Sequence, residues 1–450
     1  MVITSRLVVR FFLGLVTVSI FAVPATAKSG PGPTESTIRP SQAEVSQAIA
    51  LATHYLQNAC GADGKFVYMV DIGSGRQSSS YDVIRHAGAI YALAMANHAK
   101  PDPQVVNTMV RAAGFLRKNY VGPGVRPDQL VVWSKPITGN HTTKHEYAEL
   151  GGTGLGLVAL AEVRKVKPES VPLEQLQGMA RFLLFLQKDD GSFVSKYRRE
   201  SGAVENWESL YYPGEAALGL LTVYDLNHSP KWLNAAAKAL LYLAKSREGL
   251  TTVPADHWAL IATAKLLPVC ERHSCPVSRE ELVQHAIQIC NSILKDQFRG
   301  SAPVGIDGAF DPNGRTAPSA TRLEGLLAAL EFLPESELRN RIEVSSQRGI
   351  AFLLRAQIKS GPYIGGIPGA LRSQSRPEIR VDFVQHALCA WLRYLARHGD
   401  ISTGQNRPTS FYPRGPSVVA VNCLPRPGVF GVRSRHEFCR SKSDESVECA

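Results

Sequence analysis

Six stretches of the chain share one pattern: a polar or aromatic head, then an almost wholly apolar run. They fall at residues 85–91, 150–155, 211–221, 256–260, 321–326 and 382–388. The fullest is Tyr211-Tyr212-Pro213-Gly214-Glu215, which leads into Ala216-Ala217-Leu218-Gly219-Leu220-Leu221. Its Pro-Gly pair marks a turn into a helix. Glu215 then falls in the first helical turn, where a carboxylate favours the positive end of the dipole. A helix that is apolar on every side is a buried helix. The pattern predicts buried helices at about 82–98, 148–164, 214–227, 255–267, 319–333 and 382–398. Amphipathic helices are expected between them, at about 43–58, 103–119, 172–188, 230–246, 278–297 and 337–357. There, apolar residues recur at helical spacing with charges between, as in Ala180, Leu183, Leu184 and Leu186 against Arg181, Gln187 and Lys188. Each amphipathic helix precedes a buried one. Six such pairs imply an all-α (α/α)6 toroid over residues 43–400, with the buried helices as the inner ring.

The links give this toroid a working face. Those from a buried helix to the next amphipathic one are short, such as His228-Ser229. Most links from an amphipathic helix to the next buried one are long: 59–81, 120–147, 189–213, 298–318 and 358–381. In an alternating ring all the long links emerge at one end, with the N-termini of the inner helices. Long loops on a rigid scaffold are where binding and catalysis concentrate, and six inward helix N-termini favour an anionic ligand.

Composition places the chain in a compartment. Arg6 and Arg10, an apolar run from Phe11 to Val23, and Ala25-Thr26-Ala27 form an export signal over residues 1–27, so a mature chain is expected to start at Lys28. Residues 28–42 read as a disordered Gly/Pro/Ser-rich linker. Nothing after the signal is long and apolar enough to span a bilayer. A periplasmic or secreted protein is expected, with oligomeric state unspecified. The net charge is +11, and two of those charges lie in the signal. The excess favours acidic partners. Basic residues are scattered and no nucleic-acid module is recognisable, which excludes nucleic acid as the expected ligand. Eight Cys in an oxidising compartment suggest disulfides, with Cys270 and Cys275 placed to pair locally. A metal site from Cys270, His273 and Cys275 lacks a fourth ligand and is the weaker reading. No metal or cofactor is expected. From about residue 401 the chain becomes an irregular, Pro-rich tail, in which Cys423, Cys439 and Cys449 are read as staples.

The helix junctions carry a repeated phrase. Gln57 leads to Asp63-Gly64-Lys65-Phe66, Gln187 to Asp190-Gly191-Ser192-Phe193, and Gln357 to Gly361-Pro362-Tyr363. This resembles the Gln…Gly-x-aromatic repeat of the prenyltransferase and squalene-cyclase superfamily, and the resemblance implies an (α/α)6 toroid over about residues 43–398. The Asp-rich acid motif of squalene-type cyclases, the zinc set of protein prenyltransferases and the Cys-His-Gly motif of lanthionine-type cyclases are all missing from the sequence. What remains resembles, at the level of fold, the toroidal glycan enzymes: uronic-acid lyases, uronyl epimerases and unsaturated-glycan hydrolases. Fold alone does not carry activity.

Several polar groups sit at the starts of the inner helices, and ring closure would bring them into one cleft. Arg85, His86, Tyr212, Glu215 and His257 are the candidates for catalysis. Arg85 would neutralise a uronate carboxylate, and His86, His257 or Tyr212 would move its α-proton. Tyr81, Tyr211, Asp256, Trp258, Arg322, Glu324, Asp382 and His386 are the candidates for substrate binding. A pair of carboxylates for hydrolysis, Glu208 and Glu215 or Asp256, is a further option. Each residue also has a plainer reading. Arg85 and Glu215 can be ion pairs that close the ring, and Asp82, Glu149, Asp256 and Asp382 can be caps or dipole partners. His86 and His386 can be hydrogen-bonded core histidines. Glycines 151, 152, 154 and 156 suit close helix packing better than a phosphate loop. The sequence therefore points to an exported toroid acting on an extracellular or envelope polysaccharide of anionic type, as a lyase, epimerase or hydrolase. The alternatives are a non-catalytic scaffold for a glycan or protein and, third, a terpenoid-handling enzyme.

Overall fold

The computed structural model describes residues 39–134, 137–138, 141–142, 146–204, 206–299, 305–372 and 378–399. The export signal, most of the 28–42 linker and the tail with Cys423, Cys439 and Cys449 lie outside the described residues. Twelve α-helices are present among those residues. The outer six are α1 (Gln42–Ala59), α3 (Pro103–Tyr120), α5 (Leu173–Leu186), α7 (Pro230–Ser246), α9 (Arg279–Lys295) and α11 (Glu337–Ala356). The inner six are α2 (Val83–Ala99), α4 (Leu150–Val166), α6 (Tyr212–Asn227), α8 (His257–Cys270), α10 (Thr316–Ala329) and α12 (Val381–His398). Each inner helix packs on the next, and α12 returns to α2, so the ring closes. Every outer helix is wedged between two inner ones. The (α/α)6 expectation therefore holds for the helical body. α10 begins at Thr316, earlier than the pattern suggested, because Pro318 sits in its first turn, where its missing N–H has no helical acceptor.

The long links are not free of β-structure, as the all-α expectation had them. They carry β1 (Met69–Asp71), β2 (Val121–Pro123), β3 (Leu130–Ser134), β4 (Ile137–Thr138), β5 (His141–Thr142), β6 (Tyr147–Glu149), β7 (Lys196–Arg198), β8 (Gly202–Ala203) and β9 (Glu378–Arg380). Strands β2-β3-β6-β7-β8 form one antiparallel sheet. β1 pairs with β9, with Val70 opposite Ile379, and so ties the first long link to the last. These strands have two to five residues each, too short to show a period.

The junction phrase has a physical basis. Gln187 donates from Nε2 to the carbonyl of Ala235 in α7 at 2.9 Å, Gln297 to Ser345 in α11 at 2.9 Å, and Gln357 to Ala48 in α1 at 2.9 Å. Each glutamine thus ties the end of one outer helix to the next. The glycine that follows packs on the same helix one turn later. Gly191 has φ +95°, and a Cβ there would lie 2.5 Å from the Lys238 carbonyl oxygen. Gly64, Gly308 and Gly365 meet Arg111, Arg348 and Leu51 in the same way, all at positive φ. A further copy, with a longer insertion, stands at Gln297 and Gly308-Ala309-Phe310, and the glycine of the last copy is Gly365 rather than Gly361. In the first copy Cys60, not Gln57, holds the glutamine's place, since it pairs with Phe66 as Gln187 does with Phe193. The inner ring is equally tight. A Cβ on Gly154 would meet the Ala216 nitrogen at 2.8 Å, and one on Gly214 the Ala259 nitrogen at 2.7 Å. These glycines are spacers for helix contact.

Cys270 and Cys275 form the expected disulfide. Cys60, Cys290 and Cys389 are free and buried. No helix among the described residues is long and apolar enough to cross a membrane.

Candidate active site at the inner-helix N-termini

A cavity of about 650 Å³ opens at the end of the ring where the inner helices start. That size lies within the range of small-molecule sites. Nine of the thirteen candidates for catalysis or binding line it: Arg85, Tyr211, Tyr212, Glu215, His257, Trp258, Arg322, Asp382 and His386; Asp82, read as a cap, lines it too. They come from α2, α6, α8, α10 and α12, far apart in sequence and joined only by ring closure.

Four expected residues stand behind the wall instead. His86 is fully buried and turned toward α3. It bonds the Ala112 carbonyl at 2.9 Å and the Tyr81 hydroxyl at 2.7 Å, and packs on Phe66 and Phe115. Burial lowers its pKa to about 4. Both His86 and Tyr81 are therefore structural. Asp256 caps α8 by accepting from Ala259 N–H at 3.0 Å and pairs with buried Arg247 at 2.9 Å. Glu324 is wholly buried, but it supports a residue that does reach the cavity.

That residue is His386. Its Nδ1 lies 2.6 Å from Oε1 of Glu324. The shorter contact, to a carboxylate that can only accept, places the proton on Nδ1 and leaves Nε2 as the lone-pair nitrogen, although the Gln385 amide nitrogen also lies 3.2 Å from Nδ1. His257 faces it, with ring centroids 5.6 Å apart and the planes nearly perpendicular. His257 is buried, and neither of its nitrogens has a hydrogen-bond partner. Burial, helped by the charges of His386 and Arg322, holds its pKa well below the ordinary histidine value. A buried imidazole without a partner is rare, and this one stands in the cavity wall with both nitrogens sealed from solvent.

Glu215 is the third unusual group. It sits in the first turn of α6, 5 % exposed, with Oε2 unpartnered. Burial, and then the nearby carboxylates of Asp256, Asp82 and Glu149, push its pKa up to about 8 against the weaker pull of Arg85. It is therefore not the ring-closing ion pair that its position allowed. Gly151 of α4 makes room for it, since a Cβ there would collide with the Glu215 carboxylate and the Tyr212 ring. Tyr212 itself is pushed above the ordinary tyrosine range by burial and by Glu149 and Glu215, so it is a poor base at neutral pH.

Arg85 does close the ring. Its Nε donates to Asp382 of α12 at 3.1 Å, it pairs with Asp82 of its own turn, and its Nη1 donates to the Tyr68 hydroxyl at 3.0 Å. Asp82 also caps α2. Burial works to raise the Asp382 carboxyl, but the Arg380 hydrogen bond, with the charges of Arg380, Arg85 and His386, outweighs it and holds the pKa below the usual range. Arg380, Arg315, Thr321 and Gln385 line the cavity without having been picked out from sequence. Arg380 and Arg315 were hidden because they precede the inner helices α12 and α10 as their N-cap residues. Glu208 is exposed and outside the lining.

No group of His, Cys, Asp and Glu among the described residues is arranged to hold a metal ion. No family model matches the chain, and no curated protein matches it. Solved structures do. A sugar epimerase from a ruminal bacterium matches at 11 % identity and a TM-score of 0.58, over 80 % of this chain and 100 % of its own. A D-mannose isomerase matches at 11 % and 0.58, over 81 % and 99 %. An unsaturated glucuronyl hydrolase specific for heparin matches at 12 % and 0.54, over 79 % and 98 %. At these identities the likeness is one of fold, and that fold is the (α/α)6 toroid.

Proposed function

We propose that the protein is a carbohydrate-active enzyme that moves a proton at a sugar carbon, as an epimerase or isomerase does. The observation that carries this reading is the pair of imidazoles: His386 held by buried Glu324, and His257 opposite with both nitrogens unengaged. In this reading Nε2 of one histidine takes the proton from the carbon beside a sugar carbonyl. The electron pair passes to the carbonyl oxygen, and protonated Glu215 donates to that oxygen as the enediol forms. Return of that proton to the neighbouring carbon, with the enediol's other hydroxyl proton passing to the Glu215 carboxylate, gives the isomer; inversion of the same carbon takes its proton from the second histidine, which enters as imidazolium and leaves as imidazole, while Glu215 recovers the proton it gave. Two acid–base groups within reach of one carbon are what such chemistry needs, and the two rings, in edge-to-face contact here, must part to admit it. Two of the structural neighbours named above are a sugar epimerase and a mannose isomerase, which supports the reading without deciding it.

Export to the periplasm or outside the cell remains part of the proposal, supported by the signal at residues 1–27 and the Cys270–Cys275 disulfide. An acidic sugar also remains in it. Arg85, Arg315, Arg322 and Arg380 surround the cavity, each beside an aspartate. A guanidinium has five N–H donors, so one aspartate does not exhaust it.

One observation favours a second reading, glycoside hydrolysis. Glu215, with a pKa of about 8, is protonated at neutral pH, as a general acid must be. Its candidate partners, Asp82 and Asp382, are both engaged by Arg85. A lyase is less well supported, because Tyr212 is a poor base. The test is incubation with D-glucose, D-mannose, glucuronate, cellobiose, α-1,6-mannotriose and acidic polysaccharides, followed by proton NMR. New epimer or ketose signals at constant chain length support the proposal. Shortened chains would replace it with hydrolysis, and ultraviolet-absorbing unsaturated ends would replace it with elimination.

A further inference from the structure

The exposed apolar surface is uneven. Trp207, Leu210 and Tyr211 stand 39 %, 56 % and 39 % exposed within five positions of one link. Tyr211 lines the cavity, and Trp207 and Leu210 precede it in the same link. The Trp207 ring lies 5.6 Å from that of Tyr212, also in the cavity wall. The Lys196 ammonium lies 5.3 Å from the Trp207 ring centre, 4.1 Å from that of Tyr147 and 3.5 Å from the Glu149 carboxylate. An aromatic surface thus continues from the cavity wall to the outside, edged by a cation and the polar strands β6 and β7. A contiguous run of exposed apolar side chains beside a cavity, unlike a single one, marks a contact surface.

We propose that Trp207 is a second sugar platform, so that the substrate is an oligosaccharide or polysaccharide rather than a free monosaccharide. The reacting ring occupies the cavity, and the next ring of the chain lies on the Trp207 face, with Lys196 positioned for its hydroxyl or carboxylate groups. A sugar ring is the occupant because the surface is continuous with the cavity and pairs an apolar face with a hydrogen-bonding edge, as a pyranose does. The inference rests on the carbohydrate reading above and adds the chain length of the ligand.

The molecule supplies its own probe. Of its five tryptophans, Trp133, Trp232, Trp258 and Trp391 are buried, which leaves Trp207 as the accessible one. Acrylamide quenching of intrinsic fluorescence therefore reads Trp207. The probes are cellobiose, α-1,6-mannotriose and a heparin oligosaccharide, each against its matching monosaccharide. The oligosaccharide the protein binds should shield Trp207, and its monosaccharide should not. Trp207→Ala should weaken that oligosaccharide about tenfold, leave the monosaccharide unchanged, and be largely rescued by Trp207→Phe. Circular dichroism establishes that each variant is folded. Equal affinity for chain and monosaccharide, or equal weakening of both by Trp207→Ala, overturns the platform while the carbohydrate function stands. A dimer that Trp207→Ala converts to monomer overturns it too, since the patch would then be a contact between copies. No binding of any sugar removes the function on which the inference rests, and the inference with it.

Discussion

Glu215→Gln separates the chemistry of the site from its structural cost. The wild-type carboxyl has a folded pKa of about 8 against 4.5 for the free side chain. The folded state therefore holds the proton more tightly than the unfolded state. Below about pH 4.5 both states are protonated and the residue costs nothing. As pH rises toward 8, the unfolded chain gains a solvated carboxylate that the folded chain is denied, and stability falls by about 1.4 kcal/mol per pH unit. At pH 7 the accumulated cost is about 3 kcal/mol. Glutamine has the same shape, fits the space opposite Gly151, and does not titrate. The variant should thus be more stable than wild type by up to about 3 kcal/mol at pH 7 and equal to it near pH 4. Its conversion of sugar should be lost with the acid. Urea unfolding of both proteins across this pH range measures the difference, and NMR of the sugar follows conversion. A difference that stays constant with pH, or a variant less stable at pH 7 than at pH 4 relative to wild type, would refute the argument.

Three further outcomes follow from the same geometry. Glu324→Gln removes the carboxylate charge and sets an amide N–H in competition with the remaining oxygen opposite His386 Nδ1, so the tautomer is no longer fixed. It should lower kcat by about 10³-fold on whichever sugar is converted, with KM little changed and the fold intact; steady-state kinetics and circular dichroism read both. Gly151→Ala drives a methyl into Glu215 and Tyr212, and should cost about 1–3 kcal/mol in urea unfolding and weaken sugar binding in calorimetry. Replacing both Cys270 and Cys275 by Ser opens a short loop at the far end of α8, and should cost about 2 kcal/mol with sugar conversion unchanged. Thiol labelling of the exported protein that found all eight Cys free would contradict the disulfide itself.

Much of this was legible in the chain, for reasons that differ by element. The inner helices announce themselves because a helix inside a ring is buried on every side, as α6 shows from Gly214 to Tyr224. The junction phrase was visible because one geometric demand, a glycine against the next helix's backbone, recurs around the ring. The working face followed from link lengths alone. Individual side chains were harder. His86 and His386 have the same local sequence, an imidazole before Ala in an apolar helix, yet one turns to α3 and the other to the cavity. Helical phase relative to the axis decides that, and no local pattern reports it. Glu324 looked like a lining residue because its role depends on His386, 62 positions away. Arg380, Arg315 and Trp207 were missed because they belong to links, where side-chain direction is set by tertiary contacts rather than by a repeat.

The central claim, proton transfer at a sugar carbon between His257 and His386, is tested most directly by solvent deuterium. The protein is incubated in D2O with the reducing sugars and chains of the panel, and the recovered sugars are analysed by NMR. The account predicts deuterium at the carbon beside the carbonyl, together with an epimer or ketose, and loss of both in His257→Gln and His386→Gln. Products that form without carbon-bound deuterium, or deuterium that still enters when both histidines are replaced, would contradict it.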